Sequence, residues 1–242
     1  MFDFEYSLNN MDSTKCGLNY INESSFIDFF IINELSKNVD AYRLSSFFYK
    51  DSDEDGGKLI AGPLWDFNLS FGNANYGGGE HEKGWMIDFG GGSMPFWWYN
   101  LNKHSTYMNS LINRCEYLRS DRLKTENIFH YIDSLAMELN EAQKRNFKKW
   151  DILDDYIWPN NYIGYNYANE IQYLKYWIYL RFNWMDSHIN EIPSELIIPC
   201  NNPNKVLVKI VDVLGQEISP TSNSVVFYIF DNGCVEKKYL VE

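Results

Sequence analysis

The chain has 242 residues, 45% of them hydrophobic and 17% aromatic, with 33 Asp and Glu against 21 Lys and Arg and a net charge of −12. This length and apolar content can fill the core of one large domain, or of one domain with a small appendage. The negative charge argues against a nucleic-acid partner, because phosphate binding needs concentrated basic side chains. No run reaches the roughly 18 apolar residues of a membrane span, and no export signal opens the sequence.

The first strong element is a helix over Ser25–Lys37. Residues 1–23 are mixed and polar, and they read as the end of a longer segment. The helix begins with Ser25 three residues before Asp28, a capping-box-like start, and is apolar on nearly every side. Such a helix is buried, so we expect Asp40, just beyond its end, to be held by the core.

A β-hairpin follows and organises the rest of the sequence. Strands over Ser45–Lys50 and Lys58–Ala61 flank the turn formers of Asp51–Gly57. Asp40 lies five residues before the first strand and Asp66 five residues after the second. Because a hairpin returns its second strand to the level of the first, the two carboxylates should lie close together. Such a pair suits a divalent cation and a general base.

The remaining sequence predicts a loop, four helices, a linker and a small sheet. Two Gly runs within Asn73–Ser93 indicate a mobile loop, either a substrate lid or a plain connection. The helices are predicted over Pro95–Leu101, Ser105–Leu118, Thr125–Phe147 and Asn166–Ile192, the linker over 193–204, and the strands over Val206–Val213, Val225–Phe230 and Val235–Val241. The class is therefore α+β, mainly helical, with a small C-terminal β appendage.

Cysteines and aromatic residues leave alternatives open. Cys16, Cys115, Cys200 and Cys234 have no metal-ligand spacing, which predicts no zinc site, and four cysteines could pair in about three ways. The Trp97–Trp98 pair and the Tyr162–Tyr167 cluster could stack sugars, although packing under the helices is the better interpretation.

Several segments resemble the CotH family of atypical, protein-kinase-like proteins, in the version found in Bacteroidetes-type secreted proteins. They include SFIDFFIINELSKNVDAYRLSSFFYKD, GPLWDFNLSFGNANY, PFWWYNL and NEIQYLKYWIYLRFNWMD, and they run in order from about Asn19 to His188. The resemblance implies that residues 1–192 form the mainly α-helical C-lobe of a kinase-like fold with a catalytic hairpin. It implies ATP-dependent phosphoryl transfer to protein hydroxyls.

The same resemblance implies roles for individual residues. Asp40 corresponds to the aspartate that orients or deprotonates the acceptor hydroxyl, and Asp66 to the one that holds Mg²⁺ or Mn²⁺ against the phosphates of ATP. Arg43 could neutralise a transferring phosphate. Ser45 stands where many kinase-like sites have a metal-binding Asn, and Asn68 where some relatives have a second Asp. Both are weaker ligands of a second ion.

Two further expectations follow from resemblance. No Gly-rich phosphate loop precedes Asp40, so we expect a chain truncated at its N-terminus, with impaired nucleotide binding. Residues 205–242 resemble the C-terminal sorting domain of the type IX secretion system, which implies that machinery as a partner and a secreted or cell-surface location. The alternatives are a non-catalytic kinase-like surface scaffold and a carbohydrate- or cell-wall-binding module.

Overall fold

The computed structural model describes residues 2–10, 17–89, 94–192, 206–212, 216–218, 224–230 and 235–240. They belong to two compact units, Met1–Ser194 and Glu195–Glu242. The protein is predominantly helical with small antiparallel sheets, which confirms the predicted α+β class. The predicted linker over 193–204 lies outside the described residues.

The described part of the first unit contains eight α-helices. They are α1 Phe2–Asn10, α2 Glu23–Ser36, α3 Met86–Phe89, α4 Phe96–Asn102, α5 Ser105–Ser120, α6 Thr125–Glu138, α7 Asn140–Lys149 and α8 Tyr167–His188. The single helix predicted over Thr125–Phe147 is wrong, because it is interrupted at Leu139. Leu139 is half-exposed, so burial does not hold the chain straight there, and the Asn140 that follows is a weak helix former in the interior of a helix.

Two of these helices were not predicted. Helix α1 lies in the polar N-terminal segment, yet its Phe4 and Leu8 are buried, and the Phe4 ring meets the Trp97 ring edge-on at 5.3 Å. Helix α3 lies within the predicted loop over Asn73–Ser93. Helix α1 has nine residues and α3 has four. Neither is long enough to show a clear helical repeat of apolar residues in the sequence.

An aromatic cluster around Trp98 forms the centre of the core. The Trp98 side chain is fully buried, and its ring stacks on Phe29 of α2 with centroids 5.4 Å apart and planes at 11°. Tyr42 and Phe48 approach the same ring at 4.9 and 6.4 Å. Stacked and edge-on ring pairs add to the free energy of burial. The cluster therefore packs helix α2, the turn after it and the hairpin against helix α4.

The hairpin consists of β1 Phe48–Lys50 and β2 Leu59–Ala61, paired antiparallel. It is attached to the start of α2, since the Asn22 N–H donates to the Leu59 carbonyl at 2.8 Å and the Ala61 N–H to the Ser25 hydroxyl at 3.1 Å. The predicted cap, Ser25, is wrong, because the side chain of Asn22 accepts from the Ser25 N–H and caps the helix.

In the second unit, three strands form one antiparallel sheet in the order β3-β4-β5. They are β3 Leu207–Val211, β4 Ser224–Phe230 and β5 Val235–Leu240. Within the parts of the chain that the structure describes, no helix has both the length and the apolar character needed to span a bilayer.

Candidate functional site

The carboxylate of Glu34, in helix α2, is fully buried. Glu34 lies two residues before the end of the helix from which the predicted site starts. It accepts hydrogen bonds from the N–H groups of Met86 and Ile87 at 2.6 and 2.9 Å and from the Tyr42 hydroxyl at 2.8 Å. Its Oε2 lies 3.5 Å from Nη2 of Arg181, which is also fully buried. Burial raises the pKa of Glu34, and the positive charge of Arg181 and the three donors oppose this increase.

Five consecutive backbone carbonyls, those of residues 80–84, each accept a hydrogen bond from a buried side chain. Trp177 donates to the first, Lys37 to the second and fourth, and Arg181 to the third and fifth. The mobile loop predicted over Asn73–Ser93 is therefore anchored in this part. The Gly-rich composition gave no sign of these contacts, because their donors lie far away in the sequence.

Asp40 lies in a hydrogen-bonded turn directly after α2. Its N–H donates to the side-chain oxygen of Asn38 at 3.2 Å, and its carbonyl accepts from the Leu44 N–H at 3.0 Å. Arg43 is exposed, and its Nη2 donates to the Val39 carbonyl at 3.3 Å. The side chain of Asp40 is half-buried, so the turn presents a carboxylate fixed at its backbone yet accessible to solvent.

Ser45 and Asp66 meet at the mouth of the hairpin. The Ser45 hydroxyl donates to Oδ2 of Asp66 at 3.3 Å, and the Asp66 side chain is exposed. Asn68 is also exposed, and its carbonyl accepts from the side-chain amide of Asn73 at 2.8 Å. The structure thus brings two of the three predicted metal ligands into direct contact.

The segment that carries Asp66 is attached to the same end of α2 as Asp40. The Phe71 N–H donates to the Ser36 carbonyl at 2.6 Å. Helix α2 ends two residues before Asn38, and Lys37 forms its left-handed cap. Both predicted aspartates therefore lie on segments that start from, or return to, one helix end.

Left-handed backbone conformations are frequent in this region. Lys37, Tyr42, Ser45 and Asp66 have φ angles of 50°, 71°, 48° and 62°. Positive φ is uncommon outside glycine and is best tolerated by Asn and Asp. Residues held in such conformations cluster at functional sites, where the surrounding structure compensates for the strain.

A divalent cation at the hairpin mouth would have one carboxylate and several neutral oxygens as ligands. Among the described residues, no three His, Cys, Asp or Glu side chains come together as a metal cluster. Asp66, with the Ser45 hydroxyl and the Asn68 side chain, matches the donor set of Mg²⁺, which takes one or two carboxylates and completes its shell with phosphate oxygens and water. The residues present therefore fit such an ion.

Cys115 is not a candidate nucleophile. Its thiol is free and buried, and burial raises its pKa to about 11. A thiol of this kind is protonated at neutral pH and unreactive. The other three cysteines lie outside the described residues.

The sequence did carry one overlooked signal for the buried pair. Glu34 is the only residue besides Asp28 with a charged side chain between Phe26 and Ser36, in a helix that is otherwise mostly apolar. A carboxylate on a buried helix needs a charged or hydrogen-bonding partner. The sequence could have predicted that a partner exists, but not that it is Arg181, which lies 147 positions away.

Comparison with known proteins gives one match. The model of the family described as CotH kinase protein matches residues 3–185 of the chain. The comparisons with curated proteins and with solved structures gave no match.

Replacing Arg181 should strongly destabilise the first unit. In Arg181→Met the Glu34 carboxylate stays buried without its counter-charge, and breaking a buried pair costs about 3–5 kcal/mol. We expect this loss in the free energy of urea unfolding. Tryptophan fluorescence reports on the first unit alone, because all 8 Trp residues lie within it.

The matched control is Arg114→Met. Arg114 makes a bidentate pair with Asp28 at 2.8 and 3.0 Å, but both side chains are largely exposed. Its loss should cost at most about 1 kcal/mol. Equal losses of unfolding free energy in the two variants would show that the buried pair contributes no more to stability than the exposed pair.

The contribution of Lys37 to the stability of the first unit should increase between pH 8 and pH 10. Burial and then the charge of Arg181 lower the pKa of Lys37 to about 8, whereas a lysine in an unfolded chain titrates near pH 10.4. Between these values the unfolded state binds more protons on this residue, so its contribution to the unfolding free energy rises with pH. The measurement is the free energy of urea unfolding at several pH values. The quantity followed is the wild-type value minus the Lys37→Met value.

Subtraction is needed because other groups titrate in the same range. Burial raises the pKa of Cys115, which works in the opposite direction, and this effect is common to wild type and variant. Lys50→Met at the exposed hairpin is the control variant. A wild-type minus Lys37→Met difference that is constant or falls from pH 8 to pH 10 would contradict the expectation.

Proposed function

The chain belongs to the CotH kinase protein family, and we propose that it transfers the terminal phosphoryl group of ATP to a hydroxyl group of a protein. The family membership itself suggests use of ATP and a metal ion in general. The observation that carries the proposal for this chain is the contact between Ser45 and Asp66 at the hairpin mouth, on a segment tied to the helix end that also carries Asp40.

In this proposal Asp66 holds Mg²⁺ or Mn²⁺, with Ser45 and Asn68 as neutral ligands. The bound ion supplies neutralisation of the charge on the phosphates. The hydrogen bond from Ser45 fixes one oxygen of the Asp66 carboxylate. The other oxygen stays available on the exposed side of the hairpin.

Asp40 orients the acceptor and accepts its proton. The turn fixes the backbone of Asp40, and the half-buried position of its side chain leaves the carboxylate open to a hydroxyl group. Arg43 lies on the same turn and is exposed. We assign it to the phosphates of ATP, where a guanidinium can neutralise the group in transfer.

We further propose that the protein acts outside the cell or at its surface, and that residues 205–242 serve as a sorting domain for type IX secretion. The resemblance of the segment and the antiparallel order of its three strands support this. Deletion of residues 205–242 should then retain the protein in the periplasm of a host that carries this machinery, when an export signal is supplied. Unchanged surface display after the deletion would contradict the proposal.

Asp66→Asn and Asp40→Asn should each remove the transfer activity. Asn tolerates the left-handed backbone at position 66 as well as Asp does, so the first variant removes charge and not the local fold. Loss of the general base should lower the rate by ~10²–10⁴-fold. The measurement is transfer of labelled phosphate from ATP to protein, with Mg²⁺ and with Mn²⁺.

Asp53→Asn is the control, because Asp53 lies on the same hairpin at its exposed tip, paired with Lys50. It should leave the rate unchanged. Transfer that survives Asp66→Asn would contradict the assignment of the metal ligand. Absence of both transfer and nucleotide binding in the wild type would instead favour the non-catalytic surface scaffold.

A further inference from the structure

Three exposed aromatic side chains lie together on the surface of the first unit. The rings of Tyr76 and Trp158 stack with centroids 6.2 Å apart and planes at 18°, and Asn75, the neighbour of Tyr76, donates from its side-chain amide to the Tyr156 hydroxyl. Tyr76, Tyr156 and Trp158 are 37%, 53% and 70% exposed. These three residues are called the aromatic platform below.

Backbone pairing makes the aromatic platform rigid. The Asn75 N–H donates to the Pro159 carbonyl at 2.9 Å, and the Asn161 N–H donates to the Asn73 carbonyl at 2.7 Å. These bonds join the two chain segments that carry Tyr76 and Trp158. A ligand that binds here pays little for ordering the protein.

The aromatic platform lies beside Asp40. The turn that follows Tyr76 packs on Val39, the residue before Asp40, so closely that a Cβ added at Gly79 would lie 2.5 Å from Val39 Cγ1. In agreement, burial and then the Asp40 charge raise the pKa of Tyr76, while Arg43 opposes the increase. The platform and the predicted catalytic carboxylate therefore share one part of the surface.

The two chain segments that form the aromatic platform carry no positive charge, and the Arg43 guanidinium that acts on Tyr76 belongs to the turn of Asp40. Residues 59–80 and 151–166 contain no Lys, Arg or His, so these segments offer a phosphate or carboxylate no counter-charge. The polar groups bonded within the platform are neutral, an amide and a phenol hydroxyl. Flat apolar ring faces with neutral hydrogen-bonding groups beside them fit a ligand that has an apolar face and hydroxyl groups at its edge.

We propose that the aromatic platform binds a neutral glycan by stacking one pyranose ring on the outer face of Trp158, which Tyr76 supports from the other side, with sugar hydroxyls at Asn75 and Tyr156. Two of the residues that the sequence suggested for sugar stacking are engaged elsewhere, whereas Tyr165 is 71% exposed. Trp98 lies in the core, and Tyr162 is stacked on Tyr173 with centroids 4.0 Å apart. Binding at the platform does not depend on phosphoryl transfer.

The test is calorimetric titration of the whole chain with neutral hexasaccharides of glucose, mannose, xylose and N-acetylglucosamine, without nucleotide. We expect at least one to bind, and Trp158→Ala to weaken its binding about tenfold, since a ring contact contributes ~0.5–1.5 kcal/mol and a factor of ten corresponds to ~1.4 kcal/mol. Trp158→Tyr should retain most of the affinity. Trp150→Ala, at a tryptophan that is 57% exposed and lies outside the platform, should retain all of it.

Several outcomes would overturn the proposal. They are no binding of any of the four hexasaccharides, equal losses in Trp158→Ala and Trp150→Ala, or Trp158-dependent binding of hexalysine with no glycan bound, which would make the platform a cation site. If Trp158→Ala does not fold, Tyr76→Leu takes its place. Asp66→Asn should leave glycan binding intact, so failure of the phosphoryl-transfer proposal can be distinguished from failure of this one.

Discussion

The buried pair of Glu34 and Arg181 is the interaction on which the rest of the first unit depends. Two charges taken out of water are stable only if their remaining hydrogen-bonding capacity is satisfied. Here the carboxylate receives three donors besides the arginine, and the guanidinium donates to carbonyls of α2 and of residues 82 and 84. Each partner therefore fixes the position of a different chain segment, and the pair determines how α2, α3 and α8 are arranged.

The end of α2 connects the buried pair and its helices to the candidate site. Lys37 donates to two carbonyls of the neighbouring loop, Ser36 accepts from the segment that follows Asp66, and Asp40 begins the next turn. A carboxylate intended for chemistry must be held by groups whose own positions are fixed. The buried pair and the Trp98 cluster provide this support, so neither predicted aspartate depends on a flexible loop.

Local sequence patterns predicted the parts of the fold that local physics determines. The turn formers of Asp51–Gly57 and the strands beside them correctly indicated a hairpin. The Ser45–Asp66 contact at its mouth was not predicted, and the predicted closeness of the Asp40 and Asp66 carboxylates stays a prediction. The contacts of Lys37, Trp177 and Arg181 with residues 80–84 could not be predicted, because the sequence of a loop looks the same whether its carbonyls meet water or buried donors. The aromatic platform was missed for the same reason: Tyr76 and Trp158 meet only through long-range backbone pairing.

The contacts of residues 80–84 have a consequence for how this segment can change during evolution. Lys37, Trp177 and Arg181 recognise main-chain carbonyls, and every residue type provides the same carbonyl. Side chains at positions 81 and 83 can therefore be replaced without loss of the anchor, provided the backbone path is kept, whereas the three donors cannot, and Glu80 and Glu82 also place negative charge near Lys37. In homologous chains, the presence of the three donor residues would indicate that this loop keeps its conformation. Variation in the sequence of the loop itself would not imply a different one.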